Sequence, residues 1–345
     1  AIFADDPSCA AAEDCMVGDG DCGVFCSGPF AADAPCPAAL DCIDGTGHCV
    51  LPAEFVSVGD FAFDGVQSLT SITLHSNVSS IGVYAFRNTG LTSIVIPDLV
   101  TEIPEGAFFG CGDLTSVTLG SGVARIGESA FQETGLTSLV LPDSVLELGV
   151  SAFQSTSALS SVTIGAGITS IPRYCFGSAG LSSIVIPDTV TELGSAAFKS
   201  TQATSIVIGS GVTALQSDYI FSTNRLLTEV FIPGTVGVIG GNQFTYCSAL
   251  ASVTIGHGVT SIGYGAFTDT ALTGTVALPE TVTAVSSSAF PSWVALCGGD
   301  ASLGYDPCPC WEPCTSACEE SSDRTLFAIF ADDPSCAAAE DCMVG

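Results

Sequence analysis

A phenylalanine returns at near-constant intervals along most of this chain, at Phe63, Phe86, Phe108, Phe131, Phe153, Phe176, Phe198, Phe221, Phe244, Phe267 and Phe290. Each sits in a fixed frame. In the unit LTSIVIPDLVTEIPEGAFFGCGD, residues 91–113, apolar residues alternate through Leu91, Ile94 and Ile96, a Pro-Asp turn follows, and Val100 and Ile103 precede Ala-Phe. Units open at Leu69, Leu91, Leu114, Leu136, Leu159, Leu181, Ala203, Leu227, Leu250 and Leu272, which is the spacing of a solenoid repeat. So short a unit cannot bury its own apolar face, so the period predicts a β-rich solenoid of ten or eleven coils, each covered by its neighbours. A coil reads as one short strand, a turn, a second short extended piece, and a tight turn bearing the Phe. Stacking then places the eleven Phe in one buried column.

A second period of two coils lies over the first. The turn after the strand is Pro-acidic at Asp98, Asp143, Asp188 and Glu280, with Gly234 breaking the series, while the coils between carry Gly-x-Gly from residues 120, 165, 209 and 256. Glu102, Glu147 and Glu192 keep the same spacing, and Arg125 falls between the first two. Two readings stay open: charge compensation between neighbouring coils, and an acidic face that docks a partner or Ca²⁺. The outward strand positions also form columns, one nearly all Ser and the next mixing Thr and Val. Such residues suit an exposed sheet. The same flat surface could pack another copy of the chain or order water as ice-binding solenoids do; Val and Phe231 among the Thr argue against ice.

The motif LTSIVIPD followed by VTEIPEGAF resembles the BspA-type leucine-rich repeat over about residues 51–290. That resemblance implies a leucine-rich-repeat solenoid in a secreted or surface-anchored protein, associated with adhesion and protein binding rather than catalysis. The unit opening at Ala203 and the longer one around Gln216 to Arg225 depart from the pattern.

Cysteines concentrate at the two ends. Of 17, seven lie in residues 1–50 (Cys9, Cys15, Cys22, Cys26, Cys36, Cys42, Cys49) and seven after residue 290 (Cys297, Cys308, Cys310, Cys314, Cys318, Cys336, Cys342). In acidic, Gly/Pro-rich segments these read as a disulfide cluster in an extracellular setting. Cys111, Cys175 and Cys247 lie between. Cys111 and Cys247 are six coils apart, ~29 Å at strand spacing, against the ~7 Å a disulfide spans, so the middle three are expected to be buried free thiols.

The stretch at 1–18 and the stretch at 328–345 are the same, AIFADDPSCAAAEDCMVG. Coils that hold one fold with only a few fixed positions show that identity is not a folding requirement. It marks a larger period, one that carries Ala1 onto Ala328, and a tandem array in which residue 345 is not a natural end. The expected organisation is a Cys-rich cap or junction at 1–50, the solenoid at 51–290, a second cap or junction at 291–327, and the next block from 328.

Chemistry is sparse. His48, His75 and His257 are scattered, with no nucleophile motif beside them, so the chain reads as no enzyme and without a cofactor. Asp19 and Asp21 hint at a Ca²⁺ loop that lacks the later bidentate Glu. CPCWEPCTSAC, residues 308–318, has no second Cys pair at zinc-finger spacing and reads as disulfides. Asn77-Val78-Ser79 is a glycosylation sequon. A net charge of -30 excludes nucleic acid as a partner, and no apolar run is long enough to span a membrane. The sequence thus points to a structural repeat unit of an extracellular fibre, surface hair or stalk, whose partners are further copies of itself in tandem and laterally. The alternative is a surface adhesin that recognises a protein or glycan.

Overall fold

The computed structural model describes residues 43–51, 55–306 and 308. From His48–Val50 to Ala295–Gly298, twelve strands of three or four residues alternate with eleven strands of two. The strands pair in parallel, each coil with the next, so that Ser93, Ile94 and Val95 lie beside Ser116, Val117 and Thr118. This is the β-solenoid that the period predicted. One continuous apolar core runs through it, from Cys49 and Leu51 to Phe290.

The Phe column forms the spine. Consecutive rings from Phe63 to Phe290 lie 4.9 to 5.9 Å apart between centroids, with planes 2 to 13° from parallel. Stacking of this kind adds to the burial of each ring. The turn that presents each ring is tied to the next coil: Phe86 N–H donates to Ala107 O at 2.9 Å, with Tyr84 and Asn88 N–H on either side bonding Glu105 and Phe109 carbonyls. Pointing alternate N–H groups the same way requires left-handed backbone two residues before and two after the Phe. Ten coils do this, and sixteen of the twenty positions are not glycine, with φ between 53 and 63°. Non-glycine residues resist that conformation by ~1 kcal/mol each, and the bonds to the next coil hold them there.

A second buried column accompanies the rings. Three residues past the Phe, the buried Thr89, Thr134, Thr156 and Thr270 return their hydroxyls to the Phe carbonyl of their own coil at 2.7 to 3.0 Å. Cys111 and Cys247 occupy the same position and bond the carbonyls of Phe86 and Phe221 in the coil before. Asn224 satisfies two coils at once, accepting from Thr201 N and Oγ1 and donating to Phe198 and Phe221 carbonyls.

The two-coil period has a backbone counterpart. Long strands bond in couples, Ser93–Val95 with Ser116–Thr118, Ser138–Leu141 with Ser161–Ile164, Ser183–Ile186 with Ser205–Ile208, and onward. The three couples from Ser93 to Ile208 each join a Pro-acidic coil to a Gly-x-Gly coil. Asp98 Oδ1 accepts the backbone N–H of Ser121 at 2.7 Å, and Asp143 and Asp188 do the same for Ala166 and Ser210. The flanking glycines are needed for approach: a Cβ on Gly122, Gly167 or Gly211 would collide with the carbonyl oxygen of the aspartate it faces. Between couples the link sits one residue before the strand, where Thr137 N–H and Oγ1 both donate to Thr115 O.

The two-residue strands form a separate ladder, interrupted before Glu102–Ile103, Ser170–Ile171 and Ala214–Leu215. The residue after the short strand differs at the breaks, although Ser286 also replaces glycine after Ala284–Val285 and still donates its N–H to Ile262 O. Six coils place Gly82, Gly127, Gly149, Gly194, Gly240 and Gly263 there, against the backbone of the coil before. The interrupted coils carry Pro104, Pro172 and Gln216 instead. Proline has no N–H to give. The unit from Ala203 to Arg225 thus departs from the pattern locally without leaving the stack.

Candidate functional site: the strand face

Long strands show alternate residues outward, and these make two columns. The first runs His48, Ser71, Ser93, Ser116, Ser138, Ser161, Ser183, Ser205, Glu229, Ser252 and Thr275. The second runs Val50, Thr73, Val95, Thr118, Val140, Thr163, Val185, Val207, Phe231, Thr254 and Ala277. Val95, Val140, Val185 and Val207 are 56 to 66 % exposed, far more than apolar side chains with a neighbour to pack against. Beside them a hydroxyl column binds the coils together, as Thr115, Ser160 and Ser182 each donate a side-chain bond to the preceding carbonyl. Across both outward columns the described residues carry one carboxylate, Glu229, and one histidine, His48, whose Nδ1 lies 2.7 Å from Ser71 Oγ.

The remaining described charges lie on the turns and the short strands. Arg125 Nε stands 3.6 Å from both Glu102 and Glu147, all three well exposed. Water screens such pairs, so they compensate charge more than they stabilise. The turn aspartates are occupied as acceptors: hydrogen bonds from Ser121 hold the Asp98 carboxyl below the usual 3.8, and those from Ser210 do the same for Asp188. Among the described residues no three His, Cys, Asp or Glu side chains converge as a metal site would need.

One cluster was invisible in the sequence. Arg87 bonds both oxygens of Asp64 and lies 5.9 Å over the Phe61 ring and 5.2 Å over Tyr84, and those two rings stack at 5.4 Å. Tyr84 in turn donates to Glu105, a bond that pushes its hydroxyl above the usual 10.0. The only hint was spacing, since 61, 84, 64, 87 and 105 fall on neighbouring coils. Two open troughs of about 310 and 300 Å³ adjoin the ladder break before Ala214–Leu215, one lined by Glu192, Gln216 and Ser217, the other by Arg173, Tyr174, Asp218 and Tyr219. Neither brings a nucleophile to a base.

Of the residues singled out from the sequence, Cys111, Cys175 and Cys247 are buried and form no disulfide. Desolvation pushes all three thiols up, Cys247 to about 12. Cys297 and Cys308 are bonded to each other with Cα atoms 4.8 Å apart, and Cys49 is disulfide-bonded as well. Asn77 lies on an exposed turn. Asp19, Asp21, Cys9, Cys15, Cys22, Cys26, Cys36, Cys42, Cys310, Cys314, Cys318, Cys336 and Cys342 lie outside the described residues.

Comparison with known families matches residues 45–160 and 169–296 to the model of the BspA type leucine rich repeat region, in six copies. The chain belongs to this family. Among solved structures, a leucine-rich repeat protein from Bacteroides ovatus is 23% identical over 76% of this chain and 76% of its own, with a TM-score of 0.55. A leucine rich cell surface protein from Faecalibacterium prausnitzii is 22% identical over 75% and 81%, TM-score 0.41. The pneumococcal vaccine antigen PcpA is 20% identical over 72% and 78%, TM-score 0.46. The Bacteroides structure establishes a shared fold and nothing further. No protein of curated function matches the chain. No helix among the described residues is long and apolar enough to cross a membrane.

Proposed function

We propose that this BspA-type solenoid is a non-enzymatic structural unit of an extracellular fibre, surface hair or stalk, repeated in tandem with the period that carries residues 1–18 onto residues 328–345. The observation that carries this is the identity of the stretch at 1–18 with that at 328–345. The architecture suits it. A stack whose coils are joined along three ladders and through a continuous ring column resists bending, and disulfides at Cys49 and Cys297–Cys308 bracket the coils at both ends. Such bonds belong to an oxidising, extracellular setting. In this reading the segments at 1–50 and 291–327 are the junctions that cover the open ends of each solenoid, which would otherwise invite uncontrolled pairing.

Ten coils at about 4.8 Å and a junction near ~30 Å across give a repeat of about 80 Å when coil axes follow the fibre. Electron microscopy of the native material is expected to show that longitudinal repeat, or a shorter one if the axes tilt. Discrete particles without one overturn the proposal. The adhesin reading is favoured by one observation, the broad, nearly uncharged strand face on an otherwise acidic chain. It expects a single divergent block, whereas the fibre expects many near-identical ones, and the continuing gene sequence separates the two.

A further inference from the structure

We infer that the strand face is where two copies of this chain pack on each other, with antiparallel solenoid axes and a twofold axis passing beside Val140. The inference concerns one block and stands whether or not blocks are joined in tandem.

Three observations lead to it. The first is charge. A chain of net charge -30 repels its own copies from every acidic direction, and the two outward strand columns form a face with one carboxylate among the described residues. Two copies meet there with the least repulsion. The second is exposure, because the valines of the second column from Val95 to Val207 stand more than half exposed in a row down the stack.

The third observation is the pattern, which fixes the register. Coils from Val50 to Phe231 alternate an apolar residue with Thr, and Val207 is the one exception. Antiparallel packing makes each coil face the one equally far on the other side of the twofold. Placing the axis at the coil of Val140 sets valine against valine, as Val95 against Val185 of the second copy, and threonine against threonine, as Thr118 against Thr163, with Thr73 against the exceptional Val207 as the single mismatch. Moving the axis by half a coil sets most valines against a hydroxyl. Moving it by a whole coil keeps like with like but loses a further match: at Val140 the carboxylate of Glu229 faces His48 of the second copy, once at each end. The carboxylate and the imidazole of the described outward columns thus become opposite partners, while Phe231 covers Val50.

Nine overlapping coils give a face ~43 Å long and ~12 Å wide, roughly 1,000 Å² over both copies, the lower end of what specific association uses. The pair should therefore be weak, in the micromolar range, and in a tandem array many such contacts would add.

Cross-linking tests the register. Val140→Cys, oxidised mildly at about 100 µM protein, is expected to form a disulfide dimer, because that residue alone of its column faces itself. The buried Cys111, Cys175 and Cys247 do not compete. Val95→Cys, on the same face but ~19 Å from its counterpart, and Thr254→Cys, outside the overlap, are expected to stay monomeric. Glu229→Lys should weaken association about tenfold in sedimentation equilibrium. Equal cross-linking at all three positions, or a monomer throughout at that concentration, overturns the inference. Neither result bears on the tandem array, whose test is the longitudinal repeat.

Discussion

At the scale of single residues, the stack explains choices that look arbitrary along the chain. Cys111 sits where other coils place threonine, and its thiol bonds Phe86 O at 2.9 Å and lies 3.3 Å from Thr89 Oγ1. It serves there as a small donor. Cys111→Thr keeps a donor and is expected to leave stability close to the parent's, while Cys111→Val, similar in shape but without a donor, loses ~0.5–1.5 kcal/mol, the net worth of one hydrogen bond, since the Thr89 hydroxyl still serves Phe86 O. Urea midpoints of the two variants check this. The thiols also set an alkaline limit. Burial raises Cys247 from 9.0 to about 12 and raises Cys175 and Cys111 as well, so the folded state favours the protonated thiol. The associated stability is complete below pH 9 and declines as pH rises from there toward 12. Replacing Cys175 by Ala should flatten the part of that decline it contributes, read as melting temperature against pH.

At the scale of the element, the lock between a Pro-Asp turn and the Gly-x-Gly turn beside it makes a testable unit. Gly122→Ala drives a methyl into the backbone carbonyl of Asp98, where no side chain can move aside, and is expected to cost ~1–3 kcal/mol. Asp98→Ala removes only an exposed acceptor and should lower the melting temperature less. The carboxyls of Asp98 and Asp188 are held below 3.8, so their contribution is present above that pH and is lost as pH falls through their folded-state values. Asp98→Ala should accordingly matter at neutral pH and cease to matter in strong acid, below its folded-state value; an equal difference under both conditions would show that the lock is not ionic. The turns around the Phe column follow the same logic of coil-to-coil support. Tyr84, Tyr174, Tyr219 and Tyr246 keep left-handed backbone in turns that are hydrogen-bonded to the coil that follows.

At the scale of the molecule, the repeating unit is the couple of coils, and deletion can prove it. Removing the segment 99–143 excises one couple and joins Asp98 to Ser144, leaving the alternation of Pro-acidic and Gly-x-Gly turns intact. That variant is expected to fold with a melting temperature close to the parent, since a solenoid's stability is a sum over neighbours. Removing the segment 99–121 excises a single coil and brings two Pro-acidic turns together, so it should be markedly less stable despite losing less of the chain. Circular dichroism melts of both decide the matter, and equal stability would mean the single coil is the true unit.

Much of this was legible in the sequence, and the reason is the repeat itself. When one short pattern recurs at a fixed spacing, each position meets its own equivalents above and below, so periodicity alone assigned the Phe column, the strand faces and the solenoid. The two-coil period was equally plain as a pattern of Asp98, Asp143 and Asp188 against the Gly-x-Gly turns. Its cause was not, because a carboxylate that accepts a neighbouring coil's N–H reads in sequence like any exposed acid. The Arg87 cluster, the ladder breaks at Pro104, Pro172 and Gln216, and the left-handed backbone at residues such as Tyr84 and Glu133 also belong to the structure alone. Each depends on the distance between backbones in adjacent coils, and positions one full coil apart in sequence lie one strand spacing apart only after the chain has wound up.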